Sequence, residues 1–226
     1  MRDRLTAFIA TPAPAGARIG NRVTALRWAK RLRELGWTVR VGDEWTGEPC
    51  DLLVALHARK SHDSIARHAR EQPRVPRVVA LTGTDLYGDI HHDAAARSSL
   101  DLATRLVILQ PLGARQLPDA DRAKVRVIRQ STPRISAPAR PGFVACSLAH
   151  LRDVKDPLLA AQALALVPEG SPIRMVHVGG AYDATWRARA EATEAAMGGR
   201  WRWLGDRPRC EALAILASSR VLVLTS

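Results

Sequence analysis

Cysteine is scarce in this 226-residue chain and is placed without pattern. The three cysteines, Cys50, Cys146 and Cys210, are odd in number and form no C-x-x-C pair. The sequence therefore shows neither a zinc knuckle nor a dithiol redox motif. We interpret the three residues as reduced thiols, which is typical of a cytoplasmic protein.

Long apolar runs and the common nucleotide and hydrolase motifs are missing as well. No run approaches the ~20 apolar residues of a membrane span, and the charged residues Arg2, Asp3 and Arg4 are not typical of a signal peptide. The sequence has no G-x-G-x-x-G fingerprint, no P-loop and no G-x-S-x-G elbow. We therefore expect no membrane partner and no resident cofactor.

Positive charge is in excess, because 34 Lys and Arg residues oppose 22 Asp and Glu residues, a formal net charge of +12. Such an excess fits nucleic acid, an anionic membrane surface or small polyanionic substrates. Lysine is scarce, and the arginines are scattered along the whole chain instead of forming a basic block. The net charge by itself therefore does not identify the class of partner.

Apolar runs typical of strands alternate with amphipathic patterns typical of helices. Residues 5–10 predict a first strand, and Asn21 is predicted to cap a helix that Gly36 ends. This alternation predicts parallel, doubly wound sheets. Further strands are predicted at 37–41, 52–56, 77–81, 106–109, 125–128, 143–148, 173–178, 201–204 and 221–224, and further helices at about 61–69, 93–103, 113–117, 157–167, 184–197 and 210–218.

A proline-rich segment, residues 131–141, interrupts this alternation and is typical of a linker. We predict two Rossmann-like domains, residues 1–138 and residues 139–226. The second domain stops directly after a strand, which leaves one sheet face poorly covered. We therefore expect that this domain is incomplete and that a C-terminal portion lies outside the chain.

The loop at residues 147–157 is the most informative stretch for function. It joins a predicted strand to a helix that Asp156 is predicted to cap, and it carries His150, Arg152 and Lys155. Ligands of open α/β sheets bind at strand carboxyl ends, and helix N-termini favour anions. Two interpretations of these residues are equally open: they bind a phosphate or diphosphate, or they are charged side chains of a solvated loop with no ligand.

Polar clusters follow the carboxyl ends of other predicted strands too. His57, Arg59 and Lys60 form a candidate anion clamp, and Thr84 and Asp85 are candidates for binding sugar hydroxyls, with Asp85 also a candidate base. Capping of the next helix is the alternative role of Thr84 and Asp85. Because parallel strands share one carboxyl edge, we expect the clusters of the two domains to line a cleft.

Other polar or aromatic features favour structural roles. The run His91-His92-Asp93 is interpreted as a solvated helix start rather than a metal site, because adjacent histidines point in different directions. Trp201 and Trp203 are interpreted as half-buried core rather than a stacking platform for bases. No metal site is expected.

Several motifs resemble the two-domain GT-B glycosyltransferases of retaining family 4. Residues 148–157 resemble the family's G-R-L-x-x-x-K-G segment, in which Arg and Lys hold the donor diphosphate. Lys155 matches the lysine, whereas His150 replaces the arginine and Asp156 the glycine. Residues 178–180 resemble the family's next strand end, residues 203–205 its F-L-G segment beside the nucleobase, and residues 223–226 the stretch just before its E-x(7)-E motif. The E-x(7)-E motif that holds the donor sugar would follow and is absent here.

A more specific resemblance covers nearly the whole chain. Residues 20–29, 55–60, 80–87 and 150–157 together resemble the selenosugar synthases of selenoneine biosynthesis. That resemblance implies transfer of a sugar from UDP-N-acetylglucosamine or UDP-glucose to selenophosphate. A carbon–selenium bond forms, UDP leaves, and the phosphoryl group is lost afterwards.

The resemblance also implies roles for the candidate residues. The N-terminal domain would hold selenophosphate and the C-terminal domain the UDP-sugar. The expected diphosphate ligands are His150, Arg152 and Lys155; the expected nucleoside contacts are Gly179, Gly180, Leu204 and Gly205; the expected acceptor contacts are Gly20, Asn21, Arg22, Arg59 and Lys60; and the expected catalytic residues are His57, Thr84 and Asp85.

Three alternatives stay open on the sequence alone. An O-glycosyltransferase of the same fold would use a hydroxyl acceptor and would need a base, for which Asp85 or His57 would serve. A basic nucleic-acid-binding module would bind DNA or RNA with a steep salt dependence, although the scattered arginines argue against it. The chain would be inactive if the missing donor carboxylates are required.

Overall fold

The computed structural model describes residues 4–17, 19–132 and 134–225. The chain divides into two compact units, Met1–Ser131 and Thr132–Ser226. Within the described residues, no helix is both long enough and apolar enough to cross a membrane.

The first unit is a six-stranded, wholly parallel sheet with helices on both faces. Its helical turns are π-helical at Asp85–Asp89 and 3₁₀ at Pro111–Gln116. The strands are β1 (Thr6–Ala10), β2 (Thr38–Gly42), β3 (Leu52–Leu56), β4 (Arg77–Ala80), β5 (Arg105–Ile108) and β6 (Val125–Val127), and the helices are α1 (Gly20–Glu34), α2 (His62–Glu71), α3 (Ile90–His92), α4 (Ala94–Leu102) and α5 (Asp119–Arg122).

The order of the strands in this sheet is β2-β1-β3-β4-β5-β6. Side chains alternate between its faces, so Ile9 of β1 packs in the layer with Ala25 of α1, and Phe8 in the layer with Ile65 of α2. Because the chain leaves β1 toward β2 on one side and resumes at β3 on the other, the topological switch point lies between β1 and β3. Ligands of doubly wound sheets bind at such a crevice, beyond the strand carboxyl ends.

The second unit is a four-stranded parallel sheet with strand order β10-β7-β8-β9. The strand order reverses between β7 and β10, which puts the switch point of this sheet beside the loop that follows β7. The strands are β7 (Phe143–Leu148), β8 (Ile173–Val178), β9 (Trp201–Trp203) and β10 (Val221–Leu222); the helices are α6 (Leu159–Ala165), α7 (Ala184–Ala196) and α8 (Arg209–Ser218), with a 3₁₀ turn at Asp153–Lys155.

Helix ends confirm some of the sequence predictions and correct others. Gly36 has a φ of +91° directly after the C-cap of α1, as a glycine that ends a helix should. Asn21, however, does not cap α1, because the helix begins at Gly20 with Ile19 as N-cap and no side-chain cap. Asp156 does not cap α6 either: it adopts a left-handed φ of +36°, and α6 begins only at Leu159.

The stretch after β4 also differs from its prediction. The sequence pattern predicted no helix between the strand at 77–81 and the helix at about 93–103, but the chain forms the π-helical turn Asp85–Asp89, which continues into α3. The cause is the Asp85 carboxylate, whose Oδ1 accepts hydrogen bonds from the amides of Thr82 and Gly83, each at 2.9 Å. The chain is therefore turned tightly at the carboxyl end of β4.

Candidate functional site

His57 occupies the position directly after β3, at the switch point of the first sheet. It is 2% exposed and has a φ of +78°, a left-handed conformation that costs a non-glycine residue about 1–2 kcal/mol. Its Nδ1 accepts a hydrogen bond from the Lys60 amide at 3.3 Å, and its Nε2 lies 3.0 Å from Thr84 Oγ1. This pattern assigns the ring proton to Nε2, which donates to Thr84.

The protonation state of His57 follows from its surroundings. Burial lowers the pKa of the imidazole, and the nearby Asp85 and Asp89 only partly offset that effect, while Lys60 and Arg59 add to it. The ring is therefore neutral near pH 7, and both of its nitrogens are already engaged. Thr84 is exposed, so its hydroxyl can accept from His57 and direct its own proton to a ligand.

Asp85 is fully buried and connects the two loops that carry these groups. Its Oδ2 accepts a hydrogen bond from the Ala58 amide at 2.9 Å, in the loop after β3. Its Oδ1 accepts from Thr82 and Gly83, in the loop after β4. An ionised carboxylate suits three N–H donors, because it offers acceptor sites only. Both carboxylate oxygens are thus engaged by backbone amides, and the role of Asp85 as a catalytic base stays a prediction.

Arg59 is half exposed and is paired with an aspartate that the sequence analysis did not single out. The Arg59 Nε lies 3.0 Å from Asp89 Oδ2, and this contact raises the pKa of the guanidinium. The same Asp89 oxygen lies 3.7 Å from His57 Nε2. The i, i+4 spacing of Asp85 and Asp89 was the sequence signal that could have identified Asp89. It was missed because no helix was predicted for this stretch. Lys60 is exposed beside them.

The start of α1 offers further donors at the same edge of the sheet. Gly20, Asn21 and Arg22 form its first turn, which has no side-chain cap and no acidic residue. The Arg22 side chain is only 13% exposed; one guanidinium nitrogen lies 3.9 Å from an Asp43 oxygen, and its Nε has no hydrogen-bond partner. Uncapped amides and a largely buried guanidinium favour an anion. Arg18, which the sequence places among the polar residues that follow the first strand, lies outside the described residues.

Thr11 is a second residue of this region that sequence reasoning missed. It follows β1, is fully buried, and has a hydroxyl without a hydrogen-bond partner. Its amide donates to Gly42 O at 3.0 Å, next to the Asp43 that Arg22 approaches. Thr11 Oγ1 and Arg22 Nε are therefore two buried polar atoms without a hydrogen-bond partner at the carboxyl edge of the first sheet, which is the kind of group that a polar ligand satisfies.

In the second unit, the loop after β7 carries the three predicted diphosphate ligands. His150 Nδ1 accepts a hydrogen bond from the Gly180 amide at 3.1 Å, and Leu151 N donates to Gly180 O at 2.9 Å. Arg152 is exposed and Lys155 is half-buried. The loop therefore lies along the end of β8, with its basic residues at the switch point of the sheet.

The hydroxyl of Thr225 fixes the far end of this loop. Thr225 follows β10, and its Oγ1 lies 2.7 Å from the carbonyl oxygen of Lys155 and 2.8 Å from that of Asp156. This long-range contact explains why the chain turns left-handed at Asp156 instead of entering α6 there. It also places Lys155 beside β10.

The four predicted nucleoside contacts lie together at the ends of β8 and β9. Gly179 donates to the Gly205 carbonyl at 2.9 Å and accepts from Trp203 Nε1 at 2.8 Å, and Leu204 N donates to His177 O at 2.9 Å. Gly179 has a φ of +152°, and a Cβ there would sit 1.9 Å from Ala149 O. Only glycine lets these strand ends approach so closely.

His177 is a buried residue of the second unit that sequence reasoning also missed. It lies in β8 and is 1% exposed, and its Nε2 donates to Ala149 O at 2.8 Å. Burial lowers the pKa of this imidazole, so the neutral ring acts as a hydrogen-bond donor that supports the backbone of the loop after β7. A polar residue inside an apolar strand pattern was the available signal.

The residues given structural roles by the sequence analysis are placed accordingly. His91 and His92 are exposed, and Asp93 caps α4 by accepting from the Ala96 amide. Trp201 is fully buried, and Trp203 is half-buried with the guanidinium of Arg187 at 5.6 Å from its ring centroid. Across residues 4–17, 19–132 and 134–225, no group of three or more His, Cys, Asp or Glu side chains could hold a metal ion.

Comparison with known proteins finds similar structures but no matching sequence or family. No protein-family model and no curated protein sequence matches the chain. Among solved structures, Anabaena Alr3699/HepE in complex with UDP superposes with a TM-score of 0.69 at 16% identity, over 98% of this chain and 74% of that chain. HepE has also been crystallised with UDP-glucose.

Two other glycosyltransferases are similar to a comparable extent. The lipopolysaccharide outer core galactosyltransferase WaaB has a TM-score of 0.65 at 9% identity, over 98% of this chain and 74% of that chain. A glycosyltransferase from Rickettsia africae has a TM-score of 0.67 at 10% identity, over 99% and 73%. The chain therefore has the fold predicted for it: two parallel-sheet α/β domains of the GT-B glycosyltransferase type.

Proposed function

We propose that this protein is a glycosyltransferase that joins the sugar of UDP-N-acetylglucosamine or UDP-glucose to selenophosphate through a carbon–selenium bond. The GT-B fold supports glycosyl transfer, and its structural neighbour HepE is crystallised with UDP and with UDP-glucose. The motif resemblance to selenosugar synthases supports selenophosphate as the acceptor. Two half-sites carry the proposal, one in each unit.

The donor half-site is the carboxyl edge of the second sheet. Arg152 and Lys155 hold the UDP diphosphate and offset the charge that develops as UDP leaves. His150 presents its Nε2–H, because its Nδ1 is engaged by Gly180. The uridine lies against the strand ends where Gly179, Gly180, Leu204 and Gly205 come together.

The acceptor half-site is the carboxyl edge of the first sheet, and its hydrogen-bond pattern is the observation that carries the proposal. The two bases that a hydroxyl acceptor would need are occupied: both oxygens of Asp85 accept amide protons, and both nitrogens of His57 are engaged. Apart from the Asp89 carboxylate, which is paired with Arg59, the groups that remain are cations and donors, namely Arg22, Arg59, Lys60, the Thr84 hydroxyl and the first amides of α1. Such a site suits an acceptor that is already an anionic nucleophile.

The reaction follows from these placements. A lone pair of the selenophosphate selenium attacks the anomeric carbon of the donor sugar, and the bond from that carbon to the UDP oxygen breaks. UDP leaves with the bonding electron pair as an anion. Water then cleaves the selenium–phosphorus bond, which gives the selenosugar and inorganic phosphate. Because selenium needs no deprotonation, no general base takes part in bond formation.

Mass spectrometry tests the proposal. The protein is incubated with selenophosphate and an equal mixture of the two UDP-sugars, and parallel reactions contain sugar or lipid acceptors that offer hydroxyl groups. We expect a selenosugar with the isotope pattern of selenium, released together with UDP. Turnover of hydroxyl acceptors with none of selenophosphate would contradict the proposal and favour the O-glycosyltransferase.

Calorimetry tests the donor assignment separately. Lys155→Ala should weaken UDP binding about tenfold or more, because a charge-assisted contact to the diphosphate is lost. Lys30→Ala removes an exposed lysine of α1 and serves as the matched control, with unchanged affinity expected. If Lys155→Ala binds UDP as tightly as wild type, the diphosphate assignment is wrong.

A further inference from the structure

We propose that Asp89 is a positioning residue of the acceptor half-site, which orders Arg59 and, through His57, the Thr84 hydroxyl. This inference rests on the proposed function for the identity of the acceptor, but its central measurement does not require turnover. Asp89 is the last residue of the π-helical turn Asp85–Asp89. π-helical turns are rare and are frequently found at functional sites.

The first observation is that one carboxylate oxygen lies near two groups of the half-site. Asp89 Oδ2 is 3.0 Å from Arg59 Nε and 3.7 Å from His57 Nε2. The Asp89 side chain is only 15% exposed, so both contacts are poorly screened by water. Arg59 is bound at its Nε and is 45% exposed, which leaves part of its guanidinium accessible to a ligand.

The second observation is that the backbone under Asp89 is held in place by Asp85. Asp85 joins the loop of Ala58 to the loop of Thr82 and Gly83 through three amide hydrogen bonds. The turn that carries Asp89 therefore has a defined position relative to His57. An exposed ion pair between flexible side chains contributes little order, whereas this pair is formed from a fixed turn.

The third observation is the direction of the His57 proton. With Nδ1 engaged by the Lys60 amide, the proton lies on Nε2, the nitrogen nearer to Asp89 and Thr84. A negative charge beside an N–H favours the proton at that nitrogen. Asp89 thus supports the donor that orients Thr84, and Thr84 in turn directs its hydroxyl proton to the anionic acceptor.

The test is a comparison of Asp89→Asn with wild type by NMR titration of the His57 ring, whose signal is assigned with His57→Gln. The charged groups around this ring are Asp85, Asp89, Arg59 and Lys60, and Asp89 raises the pKa of His57. We therefore expect Asp89→Asn to lower the pKa of His57 further and Asp89→Glu to restore it. An unchanged titration in Asp89→Asn would overturn the proposal.

Kinetics provide the second measurement. We expect Asp89→Asn to raise KM for selenophosphate about tenfold through the loss of ordered donors, with kcat and the affinity for UDP changed little. A loss of kcat and UDP affinity as well would indicate a general structural defect and would contradict a positioning role. If wild type forms no selenosugar, the proposed function fails, and the His57 titration still decides the role of Asp89.

Asp101→Asn is the matched control. Asp101 is exposed near the end of α4, which leads into the start of β5 and hence to the opposite edge of the sheet. The variant makes the same change of charge. It should leave the His57 titration, KM and the thermal midpoint as in wild type. If Asp101→Asn shifted the pKa of His57 as much as Asp89→Asn does, the shift would be an effect of net charge alone, and the proposal would be overturned.

Discussion

Gly179 shows how one residue without a side chain decides the geometry of the donor half-site. Its carbonyl accepts from Trp203 and its amide donates to Gly205, while the space where a Cβ would lie is filled by the Ala149 carbonyl. The ends of three strands, β7, β8 and β9, meet at this point. Any side chain here would push the loop after β7 away from the end of β8.

Gly179→Ala should therefore abolish ordered packing of the donor half-site. The added Cβ would lie 1.9 Å from Ala149 O at a φ of +152°, and strain of this kind destabilises by about 3 kcal/mol or more. We expect a lower thermal midpoint and UDP binding too weak for calorimetry. Gly170→Ala, where a Cβ meets no atom within 4 Å, should change neither; equal effects of the two variants would refute the packing argument.

His68 gives the first unit a dependence on pH. It is fully buried under Trp45 and lies 3.5 Å from the Cys50 sulfur. Burial, reinforced by Arg77, lowers its pKa to about 4. The folded protein keeps this ring neutral, whereas the unfolded chain protonates it below about pH 6.5. Its stabilising contribution is therefore complete above about pH 6.5 and is lost as the pH falls through about 4.

We expect the free energy of unfolding in urea to fall by about 3 kcal/mol from His68 alone between pH 7 and pH 4. His57 and His177 add losses of the same sign, because burial lowers the pKa of each. His68→Gln should reduce the loss by the contribution of His68. His91→Gln, at an exposed position, should leave the loss unchanged, and a wild-type loss retained in His68→Gln would disprove this origin.

At the scale of elements, both candidate half-sites are loops at strand ends that long-range hydrogen bonds hold in position. Asp85 connects the loops after β3 and β4, and Thr225 connects the loop after β7 to the end of β10. The order of these loops therefore depends on a few polar contacts whose removal should affect binding more than folding.

Thr225→Val tests this dependence, because it removes the hydroxyl and keeps the shape of the side chain. The carbonyls of Lys155 and Asp156 would lose their donor, at a cost of about 1 kcal/mol. We expect UDP affinity to fall about fivefold while the thermal midpoint changes little. Thr193→Val, which loses an exposed hydrogen bond from a hydroxyl within α7, should bind UDP normally. Wild-type affinity in Thr225→Val would show that the loop is ordered by other means.

At the scale of the whole molecule, we expect the net charge of +12 to act through long-range electrostatic attraction. Several arginines are paired with nearby carboxylates, for example Arg31 with Glu34 and Arg67 with Glu44. The excess charge acts over a long range and attracts small anions from solution.

We expect kcat/KM for selenophosphate to fall severalfold as salt rises from about 50 mM to about 500 mM, because the Debye length shrinks to a few ångströms. Fluorescence anisotropy with labelled DNA and RNA provides the comparison, and only weak binding is expected. Tight binding with a steep salt dependence, together with salt-independent turnover, would favour the nucleic-acid-binding alternative.

The sequence by itself determined which segments are strands. The structure confirms β3, β7 and β8 at residues 52–56, 143–148 and 173–178. β3 is a continuous apolar run, and β7 and β8 are mostly apolar, with Ser147, Arg174 and His177 as their polar members. It also determined that polar residues follow those strands, and hence which edge of each sheet carries them. These features depend on neighbours along the chain, which local propensity and hydrophobic periodicity describe well.

Only the tertiary structure decided what the polar residues do. Asp85 contacts an amide 27 positions away in sequence, and Thr225 contacts a carbonyl 70 positions away. The local sequence pattern suggested helix capping for both Asp85 and Asp156. Neither side chain caps a helix in the structure. Such partners become neighbours only when parallel pairing aligns the strand ends, and strand order is set by the packing of the whole sheet. Because these contacts join distant segments, no local pattern encodes them.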